Sequence, residues 1–139
     1  MEQFSEYGHA LVAVAICAVM AQVLNALTGI KKHNQGLTPG KGLEPDFGDP
    51  VYRLERTYMN SMETLPFFAV LVFAAILAGA SPFWVNVGAS VGLLSRIAQN
   101  YVFLKGIGKP YNGIRTRFAA LSALVNMALF LTVLCGVLF

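Results

Sequence analysis

Residues 118–139 read FAALSALVNMALFLTVLCGVLF, an almost unbroken apolar run. A helix needs roughly 20 such residues to cross the hydrocarbon core of a bilayer, so this stretch is long enough to span one. A strand crossing a membrane would alternate with a period of two, and this run does not. Three further stretches read the same way. Ala10–Ile30 has only Gln22, Asn25 and Thr28 as polar interruptions. Thr64–Ala80 is apolar and extends backwards into a charged segment, and Pro82–Leu104 is apolar except near Arg96–Asn100. The first run is too long for a signal peptide, lacks a basic start and continues into Lys31–Lys32, so it is expected to be a retained span.

The composition agrees. The chain has 139 residues, enough for one domain over 1–139; 56% are hydrophobic and 12% charged, with a mean hydropathy of +0.61. Soluble domains carry about a quarter charged residues, so lipid is the expected solvent and the fold class is an all-α membrane protein with four transmembrane helices in a bundle. All ten Lys and Arg fall at Lys31, Lys32, Lys41, Arg53, Arg56, Arg96, Lys105, Lys109, Arg115 and Arg117. They cluster around the first and third connections. The positive-inside rule then puts both termini on the non-cytoplasmic side and the two larger loops in the cytoplasm. A net charge of +3 therefore reports topology, and with no basic run interleaved with aromatics on a soluble face, nucleic acid is not an expected partner. The compact chain without a processed leader leans toward a bacterial inner membrane. Cys17 and Cys135 lie inside apolar spans and read as small buried hydrophobes, too far apart in depth for an internal disulfide. His9 and His33 lie on opposite sides of the first span, so no metal site is expected.

The first helix is expected to end near Gly29, with the following lysines favouring its dipole. Residues 31–50, with Gly36, Pro39, Gly40, Gly42, Pro45, Gly48 and Pro50, read as a loop longer than a bundle connection requires, and long loops often cover sites. Pro50 suits the first turn of the second helix. Gly79-Ala80-Ser81-Pro82 makes a tight turn, and residues 106–113 form a second turn-rich connection.

Arg53, Arg56, Asn60 and Glu63 fall within an arc of roughly 80° at ~100° per residue, so one face of the second helix carries two guanidiniums, an amide and a carboxylate. Ionised groups at that depth cost on the order of 2.5–3.5 kcal/mol each and persist when paired or functional. One reading is a self-contained network of Arg56, Asn60 and Glu63 that joins helices. The other is a ligand site: two arginines exceed what one Glu neutralises, and the residual charge suits carboxylates, which guanidinium grips bidentately. Glu63 and Asn60 would then receive an ammonium or amide, so a small zwitterionic peptide fits better than a lipid phosphate. Pro66 removes the donor that would bond the Met62 carbonyl. On the third helix Arg96, Gln99, Asn100 and Phe103 share one face, with Tyr101 pointing elsewhere; interhelical hydrogen bonding is the plain alternative for Gln99 and Asn100. Arg115 and Arg117 open the fourth helix, where a solvated topology signal is the default reading.

The string Arg53-Leu-Glu-Arg56-Thr-Tyr-Met-Asn60-Ser-Met-Glu63-Thr-Leu-Pro66 resembles the signature of the MAPEG family, the membrane-associated proteins of eicosanoid and glutathione metabolism. The spacing Arg-x2-Arg-x3-Asn-x2-Glu-x2-Pro matches throughout, and four spans, a long first loop and an Arg late in the third helix extend the likeness over most of the chain. The resemblance implies a homotrimer holding glutathione between subunits near the cytoplasmic face. Arg53, Arg56, Asn60 and Glu63 would grip glutathione, with Arg96 facing the site from the adjacent subunit. Arg115 would be the catalytic residue that stabilises the glutathione thiolate, with Arg117 as the alternative. A free thiol has a pKa near ~8.5, and an adjacent cation lowers it. Gln99 and Phe103 stand where family transferases commonly carry tyrosines, so Gln99 or the loop residue Tyr111 would substitute for the missing hydroxyl.

The implied function is a membrane-bound glutathione transferase of detoxification, also suited to glutathione-dependent peroxidase chemistry. It would take glutathione as co-substrate, use no metal, and attack hydrophobic electrophiles arriving from the membrane lipid. Two alternatives stand beside it: a non-enzymatic protein of the same fold that binds a lipid or partner protein, and a small four-span exporter coupled to protons through Glu63. The arginines beside Glu63 argue against the exporter.

Overall fold

The computed structural model describes residues 2–38, 40–108 and 113–138. After a single helical turn at Glu2–Ser5, four long helices follow: α1 (Gly8–Asn34), α2 (Pro50–Leu77), α3 (Pro82–Leu104) and α4 (Ile114–Leu138). α1, α2 and α4 are long and apolar enough to cross a membrane. α3 has 23 residues, about 35 Å at 1.5 Å per residue, and carries Arg96, Gln99 and Asn100 in its second half. The side chains on the outside are apolar: Val19, Phe67, Val70, Leu77, Leu94, Leu124 and Val137 are all exposed. A water-soluble domain does not carry so continuous an apolar exterior; hydrocarbon accommodates it.

The interior is built from small and branched residues. Ala10, Ala13, Ala75, Val72, Val85, Ala89 and Leu129 are buried almost completely, with Phe68 and Cys17 among them. Small side chains let helix backbones approach closely, which is how association is driven where lipid offers no hydrophobic gradient. Hydroxyls contribute where backbones meet. Ser95 Oγ donates to the Phe118 carbonyl (3.1 Å) and lies 2.9 Å from Ser122 Oγ, joining α3 to α4.

The helix ends correct one expectation. α1 does not stop at Gly29, which lies within the helix with no atom near the place a Cβ would take. It runs to Asn34 and closes at Gly36, whose φ of 69° is left-handed. The Gly36 N–H donates to His33 O (3.0 Å) and the Leu37 N–H to Lys32 O (2.9 Å), the paired bonds of a Schellman motif. Equivalent bonds close α2 at Gly79 and α3 at Gly106. The other end of the first connection follows the sequence reading: Asp49 caps α2 by accepting from the Val51 N–H (2.9 Å), and Pro50 occupies the first turn.

The bundle therefore has two unlike ends. At the terminal end Tyr7 OH donates to Ala80 O (2.5 Å), and Asn86 accepts from the Ala10 N–H (2.9 Å) while donating to Glu6 O (2.6 Å). At the loop end lie the α1–α2 and α3–α4 connections and the polar residues of the site.

Candidate functional site

The predicted face of α2 divides into two parts. Arg53 turns toward the end of the bundle: Nη1 donates to the carbonyls of Phe47 (2.7 Å) and Gly48 (2.9 Å), and Nε to that of Leu104 (3.3 Å). It thus ties the first connection to the last residue of α3. Arg56 and Glu63 lie deeper in the helix and pair with each other, Nη1 to Oε1 at 3.3 Å, with their side chains 40% and 53% exposed. Between them Asn60 is half-buried and its Nδ2 has no acceptor among the described residues. A half-exposed ion pair beside an unpaired amide is an unfinished polar surface among the exposed apolar side chains Met59, Met62 and Phe67.

The hydroxyls on this part of α2 are satisfied within the helix. Thr57 Oγ1 donates to Arg53 O (2.7 Å), Ser61 Oγ to Thr57 O (2.9 Å) and Thr64 Oγ1 to Asn60 O (2.7 Å). Such back-bonding hides hydroxyls where water is scarce. Ser61 also reaches Asn100 Oδ1 on α3 at 3.3 Å, the interhelical bond expected of Asn100. Gln99 behaves differently: it is buried and accepts from Arg96 Nη1 of its own helix at 2.9 Å. Arg96 lines a small internal gap with Cys17, Ser61, Thr64 and Asn100, so within one chain it sits among α1, α2 and α3.

Arg115 opens α4 and is 5% exposed. Its Nε donates to Ile107 O (3.1 Å) and its Nη2 to Gly108 O (3.3 Å). The rings of Phe47 and Phe103 each lie with their centroids 4.9 Å from Cζ. Those centroids are 6.4 Å apart with the ring planes at 45°, too close together to be on opposite faces of the guanidinium. They meet it as the two walls of a corner. Tyr52 stands edge-on behind Phe47 at 5.4 Å. Arg115 Nη1 is buried and has no partner among the described residues. Arg117 is exposed, and Tyr111 lies outside the described residues.

Sequence reasoning passed over two parts of this end of the molecule. Lys32 and Glu55 form a buried ion pair, with their side chains 3% and 10% exposed. Lys32 Nζ also donates to Lys41 O (2.6 Å), and Glu55 Oε2 accepts from the Leu43 N–H (3.0 Å). The pair locks α1 to α2 and pins the first connection over them. Beneath it a groove of about 500 Å³ is lined by Asn25, Thr28, Lys32, Glu55, Tyr58 and Glu63. The other omission is Phe47, whose carbonyl holds Arg53 while its ring holds Arg115. A lone aromatic within a Pro/Gly-rich loop was the available signal.

The arrangement gathers Arg53 and Arg115 around Phe47, sets Arg56, Asn60 and Glu63 about one to three turns further along α2, and keeps Arg96 with Gln99 inside. Comparison with curated proteins gave no match. The MAPEG family model matches residues 9–135, nearly the whole chain, and the protein belongs to that family.

Proposed function

We propose that this protein is a membrane-bound glutathione transferase, conjugating the glutathione thiolate to hydrophobic electrophiles drawn from the bilayer. The observation that carries the reading is the unfinished polar surface on α2. Arg56 and Glu63 form a half-exposed pair on a span whose neighbouring outward residues, Met59, Met62 and Phe67, are apolar. Ionised groups facing hydrocarbon are costly, and a polar occupant would cover them. Glutathione supplies both signs, two carboxylates for guanidinium and an ammonium for Glu63, with peptide groups for Asn60. Adjacent copies in a homotrimer would close the site around it. The same chemistry suits reduction of apolar peroxides.

In this reading Arg115 is the catalytic residue, its fixed charge favouring thiolate over thiol, while Arg53 shapes the loop end. Arg96, Gln99, Arg117 and Tyr111 complete the proposed glutathione set. The concentration of basic residues at the loop end supports placing that end in the cytoplasm of a bacterial inner membrane, where glutathione is available. The test is calorimetric binding of glutathione to the purified oligomer, with conjugation of a chromogenic aryl halide measured in parallel. Arg56→Ala and Glu63→Ala are each expected to weaken binding at least tenfold, while Arg115→Ala spares binding and lowers turnover. Unchanged binding in both α2 variants would falsify the site.

A second reading has one observation in its favour. Two of the Arg115 nitrogens already donate to carbonyls of its own chain, as Arg53 also does, which suits a protein that binds without catalysing. It requires binding with no conjugation and no thiolate absorbance.

A further inference from the structure

Phe103, with Gln99, stands where family transferases commonly carry tyrosines, and its lost hydroxyl is the evident deficit. The geometry points to another role for the ring: Phe47 and Phe103 are positioning residues that hold the Arg115 guanidinium charged and turned so that Nη1 remains for the thiolate. This rests on the proposed role of Arg115 and adds to it the two residues through which the role is set.

Three observations support it. Both rings present themselves to the same guanidinium at 4.9 Å, within the ~6 Å range over which an aromatic quadrupole attracts a cation. The two carbonyls of Ile107 and Gly108 fix the remaining edge, through Nε and Nη2. Guanidinium has five N–H donors in a rigid fork, so fixing one edge and two walls determines where the third nitrogen lies. That nitrogen, Nη1, is the one left without an acceptor among the described residues, and it is buried. A buried donor lacking a partner is unfavourable, and an anion arriving there relieves it. Ile107 and Gly108, whose carbonyls Arg115 holds, are themselves exposed.

The walls come from separate parts of the chain. Phe103 stands in the last turn of α3, and Phe47 is held in the first connection by Arg53 through its carbonyl and by Tyr52 edge-on. An aromatic face attracts a cation without forming a directed bond. It can keep Arg115 in place without occupying Nη1, as a carboxylate partner would. When glutathione binds, its thiol proton passes to solvent and the sulfur anion remains beside Nη1.

The test uses the full-length oligomer in detergent with glutathione as the probe, following ultraviolet thiolate absorbance against pH. Phe103→Leu and Phe47→Leu preserve apolar bulk and remove the ring face. Each is expected to raise the thiolate midpoint, lowering the thiolate fraction at neutral pH about 3–10-fold, while glutathione affinity changes less than about threefold. Phe103→Tyr keeps the ring face and should restore the native midpoint, which simple loss of packing would not permit. Without glutathione, the Arg115 Nε–H resonance should carry a ring-current shift that diminishes in both leucine variants. The inference is overturned if both leucine variants keep the native midpoint, or if affinity is lost along with the rise in midpoint and Phe103→Tyr fails to rescue. If Arg115→Met loses the thiolate while the leucine variants keep it, this inference alone falls. If Arg115→Met retains the thiolate, or the native protein forms none, the catalytic assignment of Arg115 falls with it.

Discussion

Lys32 and Glu55 show how a residue's surroundings decide its role. In sequence Lys32 is one of three consecutive basic or basic-capable residues at a helix end, and Glu55 stands among arginines. Helical periodicity places Glu55 off the Arg53–Arg56–Asn60–Glu63 face, but it does not reveal that α1 continues one turn past Gly29 to bring Lys32 against it. Removing one member of such a pair leaves a buried charge uncompensated, which costs about 3–5 kcal/mol, whereas replacing both with apolar groups is often nearly neutral. Lys32→Met and Glu55→Met are each expected to lower the thermal midpoint strongly, and the double substitution to recover most of the loss. A thermal double-mutant cycle in detergent checks this; additive losses would mean the two side chains are not coupled. Arg53 makes a parallel case. Its position on the α2 face was legible, yet its donors go to the carbonyls of Phe47, Gly48 and Leu104, and periodicity carries no information about which loop carbonyls fold back to meet a cation. Hydrogen bonds to charged groups contribute about 1.5–3 kcal/mol. Arg53→Ala should accordingly speed amide exchange over residues 40–49 with little change in α4.

At the scale of elements, the start of α2 and the turn before α3 were legible because Pro50 and Gly79-Ala80-Ser81-Pro82 act locally. The end of α1 was misjudged for a physical reason. Gly29 and Gly36 are alike in composition, and only the backbone needs of a Schellman closure select the second. The Gly and Ala of the third and fourth spans suggest close packing, but not which glycine meets a neighbouring backbone. A Cβ built on Gly136 of α4 would lie 2.8 Å from the Ala78 carbonyl and 3.0 Å from the Ala80 nitrogen. These are backbone atoms of the α2–α3 turn and cannot rotate away. Overpacking of this sort costs typically 1–3 kcal/mol. Gly136→Ala is expected to lower the thermal midpoint and loosen the terminal end, seen as faster amide exchange at Ala78–Ser81. Gly88→Ala serves as the contrast, since its added Cβ meets only the movable Leu129 side chain at 3.1 Å. Equal losses in the two variants would remove the packing explanation.

For the whole molecule, four helices and a membrane environment could be read from the apolar runs, because lipid allows only structures that satisfy their own backbone. What a single chain leaves uncovered could be read in part: the spacing put Arg56, Asn60 and Glu63 on one face, and that face is the unfinished surface described here. An ion pair with side chains 40% and 53% exposed is ordinary in water and unsuited to hydrocarbon, so the face needs either a neighbouring copy with a ligand or a position at the headgroup level. These alternatives differ in stoichiometry. With a neighbour covering it, native mass spectrometry from mild detergent should give a particle of three 15.0 kDa chains. Glutathione should add to that particle and be lost together with it when harsher detergent separates the chains. A monomer retaining glutathione with native affinity would mean that one chain completes the site unaided. Arg56→Leu combined with Glu63→Leu makes the face apolar, removing the reason for a polar occupant while leaving a surface on which helices can still pack. If a neighbour covers the face, a trimer is expected to survive that double substitution and glutathione binding to be lost, which separates the neighbour's contribution to the site from the ligand's.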